Sequence, residues 1–377
     1  MENDWQVRSR FFERLETMGP LTFGEFMQEA LIGPYGYYTA RARIGGAEAD
    51  FFTAAGSPLF GYTLANRIVQ AWRDFAVDGP LRLVELGPGE GKNAVHMATR
   101  LLQLLPDEIP LSIVLVDPSE ALVRRQKSLM EDFVFGLAEN DRRRLTIAWE
   151  TLPLRGEGDV VVVANEVLDA LPVERLRKEK GWQRMMVKAD GPDGLLTYWE
   201  AAPNQLAQLA NRFLPIQEGT SAELCPQMHS FFESVGGMGN RVRALFIDYG
   251  ITTEEWRSGI RPSGTVRAYR NHEICDVLEA TPWCDITADV NWDHAFDAAS
   301  AAGFTISPLK TQGSFLMEWG IMDVVSHLAE SSSSEDNART LSPTFEPQAA
   351  RYAGQIKQLV FPGGMGERFL VMECEKV

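Results

Sequence analysis

The stretch VELGPGEGKN, Val84 to Asn93, decides the fold. It continues the apolar run LRL and sets Gly87, Gly89 and Gly91 on a turn ahead of the helix-like segment NAVHMATRLLQLL. Glycine tolerates positive φ and lets backbone approach a ligand closely. The spacing is GxGxG with Glu85 ahead of it, which differs from the dinucleotide fingerprint GxGxxG, and no GK followed by Ser or Thr is present to make a P-loop. Where the turn meets a helix N-terminus, free N–H groups and the helix dipole favour an anion such as a carboxylate. A tight turn that holds no ligand is the alternative.

Outward from this turn the pattern alternates. The apolar runs LRLVEL, LSIVLVD, LTIAWE, DVVVVANE and RALFIDYG are mostly separated by helix-like segments. Continuous apolar runs suit strands buried on both faces, which predicts an α/β fold built on a doubly wound parallel sheet. Asp117 ends the second run, where a carboxylate accepts the two hydroxyls of an adenosine ribose; a cap on the turn DPSE is the other reading. Between the last two runs, WQRMMVKADGPDGLLTYWEAA reads as a β-hairpin inserted into the sheet's wiring. Upstream, LTFGEFMQEALIG carries Thr22 three residues before Glu25, a capping box, and Gly33 as a stop. The glycine- and aromatic-rich stretch that follows, through Gly61, reads as an ordered loop lying over something. SSSSEDNARTLSP, 331–343, reads as a mobile loop.

Composition narrows the function. At 377 residues the chain suits one large core with insertions or two unequal domains. Thirty-six basic against 52 acidic residues give a net charge of −16, which disfavours a nucleic-acid surface. Four scattered cysteines and five histidines without metal-type spacing predict neither disulfides nor a metal site. No run of about 18 apolar residues suggests a membrane span, and the first residues lack a leader's composition, so a cytoplasmic protein is expected. The oligomeric state is open, a homodimer included.

The ExGxGxG form is similar to motif I of class I S-adenosylmethionine-dependent methyltransferases. With ANEVLDALP, 164–172, the chain resembles the MidA family, bacterial and mitochondrial methyltransferases related to a complex I assembly factor. The resemblance spans nearly the whole chain through LTFGEFMQEAL, YGYY, DFFT with LFG, ELGPGEG, LFIDYG, GTVRAYRNH, DITADV, TQGSF and PGGMGERFLVME, in consistent order. It implies a class I methyltransferase fold with an N-terminal helical and loop lid and inserted elements, S-adenosyl-L-methionine as cofactor, and methylation of arginine in a protein. Two departures bear on the acceptor. ADFFTAAGSPLFG is one residue shorter than the family's loop and lacks its Pro-Glu pair, and in DITADVNW Asp289 and Asn291 stand where the family has histidine and aspartate.

Methyl transfer from a sulfonium is an in-line displacement, so the enzyme chiefly holds the nucleophile on the S–CH3 axis within about 3 to 3.5 Å. A guanidinium is always protonated, and carboxylates that grip it orient one nitrogen. Glu166, Asp169 and Asp248, at the carboxyl ends of the fourth and fifth runs, are therefore the candidate catalytic residues; an N-cap role for Glu166 and a turn cap at Gly250 for Asp248 are the alternatives. The cofactor is assigned Glu85, Gly87, Gly89, Gly91, Asp117, Ser119, Asn165, Asp50 and Thr53. The acceptor is assigned Tyr37, Tyr249, His272 and Gln312, with core packing the competing reading for Tyr37 and Tyr38 and a structural role for His272.

The expected organisation is an N-terminal segment and lid over 1–65, the first part of the core over 66–175, and an inserted hairpin and helical subdomain over 176–240. The second part of the core follows over 241–320, then a helical or mobile insertion over 321–355 and a C-terminal core strand over 356–377. Rival functions are a small-molecule O- or N-methyltransferase, a nicotinamide-dependent oxidoreductase, disfavoured by the glycine spacing, and a non-catalytic assembly factor.

Overall fold

The computed structural model describes residues 4–40, 53–75, 79–270, 273–336 and 348–377. The expected runs are strands: β1 Leu81–Leu86, β2 Leu111–Val116, β3 Leu145–Glu150, β4 Asp159–Asn165 and β5 Arg241–Ile251. Two more, β6 Thr305–Ile306 and β7 Phe369–Lys376, complete the row β6-β7-β5-β4-β1-β2-β3. The strands β5, β4, β1, β2 and β3 are mutually parallel, while β7 runs antiparallel to β5, Asp248 opposite Leu370. This is the class I methyltransferase arrangement that the resemblance implies.

Side chains leave a strand alternately to its two faces, and the apolar residues here feed two separate cores. Val84, Val114, Val162 and Phe246 pack on one face with Phe11, Phe12, Phe23 and Phe26 of the N-terminal helices α1 Asp4–Met18 and α2 Phe23–Ile32. Leu83, Ile113, Val161 and Ile247 pack on the other with α3 Pro58–Arg73 and α4 Lys92–Leu104. Burial on both faces is what makes β1, β2 and β4 continuous apolar runs. β3 lies at the sheet's end and alternates instead. The chain leaves β1 towards β2 and β3, then returns to lay β4 on the other side of β1. A crevice therefore opens at the carboxyl ends of β1 and β4, the switch point where ligands of this architecture lie.

The capping box forms as read, with Glu25 N donating to Thr22 Oγ1 at 3.2 Å and Thr22 N to Glu25 Oε2 at 2.8 Å. The hairpin forms too, Trp182–Ala189 against Leu195–Ala201. It is not alone: strands 174–178, 221–224 and 21–22 join it in a second, five-stranded sheet, with Leu21 opposite Val187, over a small core of Leu176, Trp182, Phe213 and Leu214. The pairing of Leu21 with Val187 spans most of the chain's first half, so no local pattern announces it.

Three expectations change. Residues 331–336 of the serine-rich stretch continue the helix Ile321–Asp336 rather than forming a loop, since serine costs a helix only a few tenths of a kcal/mol per residue; 337–343 lie outside the described residues. The boundary at 65/66 falls inside α3, whose Leu64, Ile68 and Val69 pack on the main sheet, so the helix belongs to the core. The boundaries at 175/176 and 355/356 cut the strand Glu174–Lys178 and the helix Gln348–Val360.

Candidate active site

β1 ends at Leu86 and the chain turns through Gly87 at φ 58° and Gly89 at φ 56° before Gly91 caps α4. A Cβ on Gly87 would stand 2.8 Å from Val167 Cγ2, so glycine is what lets the turn and the exit of β4 meet. Between them lies a cavity of about 350 Å³. Its walls are the turn from Glu85 to Glu90, Asp117 and Leu122, the β4 exit from Asn165 to Val167, Thr53, and Leu31, Ile32 and Tyr38 of the N-terminal segment.

The polar groups on these walls are unevenly satisfied. Glu85 Oε1 accepts Asn93 Nδ2 at 2.7 Å, while Oε2 is buried with no partner; burial pushes this carboxyl up to about 7 against the pull of the Asn93 bond. Asn165 Oδ1 is likewise buried and unpartnered. Asp117, buried at the end of β2, accepts Ser119 N on one oxygen and Gln126 Nε2 on the other, both at 2.8 Å, and burial raises it to about 6. Gln126 Nε2 also reaches Gly89 O at 2.8 Å, which ties the acid to the glycine turn. Unpartnered acceptors facing a cavity cost free energy unless a ligand supplies donors. An ammonium is such a donor, and Asp117, with one donor on each oxygen, keeps lone pairs for a pair of ribose hydroxyls, so the residues fit S-adenosyl-L-methionine.

Glu166, directly after β4, is a further acid on the wall. It takes φ 55°, unusual for a side-chain-bearing residue, and its Oε1 accepts Thr53 Oγ1 at 2.6 Å and Asn165 Nδ2 at 3.0 Å. Burial, with Asp169 adding to it, raises the carboxyl to about 7, opposed by the bonds from Thr53 and Asn165. No helix follows β4, so Glu166 is not an N-cap; a tight turn does, and Asp248 organises it. Asp248 Oδ2 accepts the N–H groups of Val167, Leu168 and Asp169 at 3.1, 2.9 and 3.2 Å, and Oδ1 accepts Tyr249 N at 2.9 Å.

Residues 63–309 match the family described as "Putative S-adenosyl-L-methionine-dependent methyltransferase". The chain belongs to this family. It is 29% identical over 379 residues to the mitochondrial protein arginine methyltransferase NDUFAF7 of Danio rerio, covering 93% of this chain and 82% of that protein. The protein of the same name from Homo sapiens is 27% identical, covering 94% and 80%. A crystal structure from Burkholderia thailandensis bound to S-adenosyl-homocysteine superposes with a TM-score of 0.81 at 28% identity, covering 100% of this chain and 95% of that one. The methyltransferase activity, the cofactor and the MidA resemblance therefore hold. The cytoplasmic location does not, because the named relatives are mitochondrial; the composition of the first residues was too weak a guide to compartment.

The expected site residues divide. Glu85, Gly87, Gly89, Asp117, Asn165, Thr53 and Glu166 line the methyltransferase's cavity. Asp248 and Asp169 do not: the first is spent on backbone N–H groups, and the second accepts the Tyr249 hydroxyl on Oδ2 with Oδ1 buried and unpartnered. Tyr249 is buried with the guanidinium groups of Arg267 and Arg368 each 5.1 Å from its ring, and is not on the cavity wall. Tyr37 packs wholly in the core, and Gln312 donates to Leu359 O at 2.9 Å far from the cavity wall. Ser119 caps the helix Glu120–Gly136 and Gly91 caps α4, so both frame the site from behind. Asp50 and His272 lie outside the described residues.

Phe231 and Gln126 escaped the sequence reading, and Tyr38, for which core packing was the competing reading, is on the wall. Tyr38 lines the cavity, its hydroxyl donating to Asp285 Oδ1 at 2.8 Å and its carbonyl accepting Ser119 Oγ at 2.6 Å. Phe231 also lines it, and Gln126 holds Asp117 from a helix face. The signal for the last is a glutamine four residues from both Leu122 and Met130, on the buried stripe of its helix. The departures in DITADVNW also find partners: Asp289 pairs with Arg267, and Asn291 caps the helix Trp292–Ala301 by accepting His294 N at 3.1 Å.

Proposed function

We propose that this methyltransferase acts on a guanidinium nitrogen of arginine in a protein, and that Glu166 grips that guanidinium. The observation that carries the reading is the Glu166 carboxylate at the cavity wall, turned by φ 55° and steadied by Thr53 and Asn165. The names of the relatives support the acceptor class. When bound, S-adenosyl-L-methionine supplies a methyl group on a sulfonium. Asp117 would hold ribose hydroxyls and Glu85 the ammonium. The ionised Glu166 orients one guanidinium nitrogen and draws charge onto the others, and the apolar wall of Val167, Leu171 and Phe231 excludes water from the line of transfer.

The test is methyl transfer by Glu166→Gln to arginine-containing proteins from the same cell. Turnover should fall at least about tenfold, about 1.4 kcal/mol in barrier, with affinity for S-adenosyl-L-methionine hardly changed. Full turnover by the folded variant would sink the reading. A neutral hydroxyl or a small acid as preferred acceptor would favour a small-molecule methyltransferase instead.

A further inference from the structure

Glu166 holds a backbone conformation that costs a side-chain-bearing residue free energy, and something adjoining must impose it. Its own N–H donates to Ile247 O at 2.9 Å, which extends the β4–β5 pairing by one step and anchors the residue on its N-terminal side. On the C-terminal side the side chain that collects the turn, among the described residues, is Asp248. Three successive N–H groups, of Val167, Leu168 and Asp169, converge on its Oδ2, and its Oδ1 is occupied by Tyr249 N. Asp248 is buried and is not on the wall of the cavity described above. Four N–H donors converge on its two oxygens, a demand that an amide with one acceptor oxygen meets only in part, while burial and the neighbouring Asp169 and Glu166 carboxyls raise its proton affinity.

We infer that Asp248 is a positioning residue: its carboxyl group sets the turn that aims Glu166 into the cavity. The register makes the coupling tight, because Ile247, next to Asp248, lies opposite Asn165, next to Glu166. Both residues thus stand one step past the last paired position, and a change at one is felt directly at the other. This rests on the reading of Glu166 as the group that orients the acceptor.

The experiment measures Asp248→Asn, Glu166→Gln and the double variant in one assay. The assay follows tritiated methyl groups passing from S-adenosyl-L-methionine to protein extract of cells lacking the enzyme, with methylarginine quantified after hydrolysis. Asp248→Asn should lower apparent kcat about tenfold or more while KM and Kd for S-adenosyl-L-methionine stay within about threefold. The double variant should be no slower than Glu166→Gln within about threefold, since one residue acts through the other. Asp248→Asn with wild-type kcat per folded molecule, whatever its melting point, overturns the proposal, as does a double variant whose losses multiply. Wild-type activity in Glu166→Gln is a different failure, that of the acceptor reading itself. Asp248→Glu keeps the carboxyl group but displaces it, and carries the same expectation if the asparagine variant does not fold. Hydrogen exchange of the wild type tests the turn without any variant: the amides of 167–169 should be as protected as those of β5, and rapid exchange there overturns the proposal.

Discussion

Gln126 Nε2 stands 2.8 Å from both Asp117 Oδ2 and Gly89 O, so one side-chain amide locks the end of β2 to the glycine turn after β1. The amide oxygen is held in turn by Trp149 Nε1 at 3.1 Å, which fixes the flip. Asp117→Ala should weaken S-adenosyl-L-methionine binding by about 1.5 to 3 kcal/mol, the loss of a charge-assisted acceptor. Gln126→Leu should cost less, about 1 kcal/mol, through a looser turn and a less ionised Asp117. Calorimetry that found both variants binding like wild type would remove Asp117 from the cofactor site.

Gly89→Val should abolish cofactor binding while the protein still folds. A β-branched residue at φ 56° costs about 1 to 2 kcal/mol, and its side chain would stand at the cavity wall. Titration with S-adenosyl-homocysteine beside circular dichroism separates the two effects. Retained binding by the folded variant would mean that the ligand does not lie against this turn.

Methyl transfer should rise with pH through about 7, the value to which burial lifts Glu166, because only the carboxylate form grips a guanidinium. Thr53 Oγ1 donates to that carboxylate and favours its ionised form. Thr53→Val should therefore move the acidic limb of the rate profile to higher pH, with the plateau reached later. An unmoved limb would show that Glu166 is not the group being titrated.

The ligand-free protein should lose stability as pH rises from about 4.5 to about 7, the interval over which Glu85 stays protonated in the fold and ionises in the unfolded chain. The sign follows from the raised value: the folded state holds the extra proton, so its advantage is complete below the unfolded pKa and gone above the folded one. Urea unfolding at about pH 5 and pH 7.5 should show a smaller difference for Glu85→Gln than for wild type. An equal difference would mean that Glu85 is already ionised in the fold.

Much of this site was legible in the chain because its parts sit on strand ends. Glu85 is the penultimate residue of β1, and Asp117 and Glu166 directly follow β2 and β4, positions that gather at one edge of a parallel sheet. Asp248 ends a similar apolar run in the sequence but meets a different fate, because its strand continues to Ile251. Asp248 is still paired with Leu370 of β7, and β5 lies one strand farther from the switch point, so its carboxyl group meets the neighbouring turn and not the cavity. Tyr37 and Tyr38 show the same limit. They are adjacent and chemically alike, yet one fills the core and the other lines the cavity, because the short helix Tyr37–Ala40 points them in different directions.

The sequence by itself determined the strand-forming runs, the glycine turn, the capping box and the family. Each is a local matter of apolar period, backbone freedom or side-chain reach over three or four residues. Only the tertiary structure decided which carboxylates face the cavity, that the inserted hairpin grows into a five-stranded sheet with Leu21 and Thr22, and that Gln126 braces Asp117. Those outcomes depend on register and pairing between segments far apart in the chain, where a hydrogen bond joins residues whose proximity no local pattern encodes.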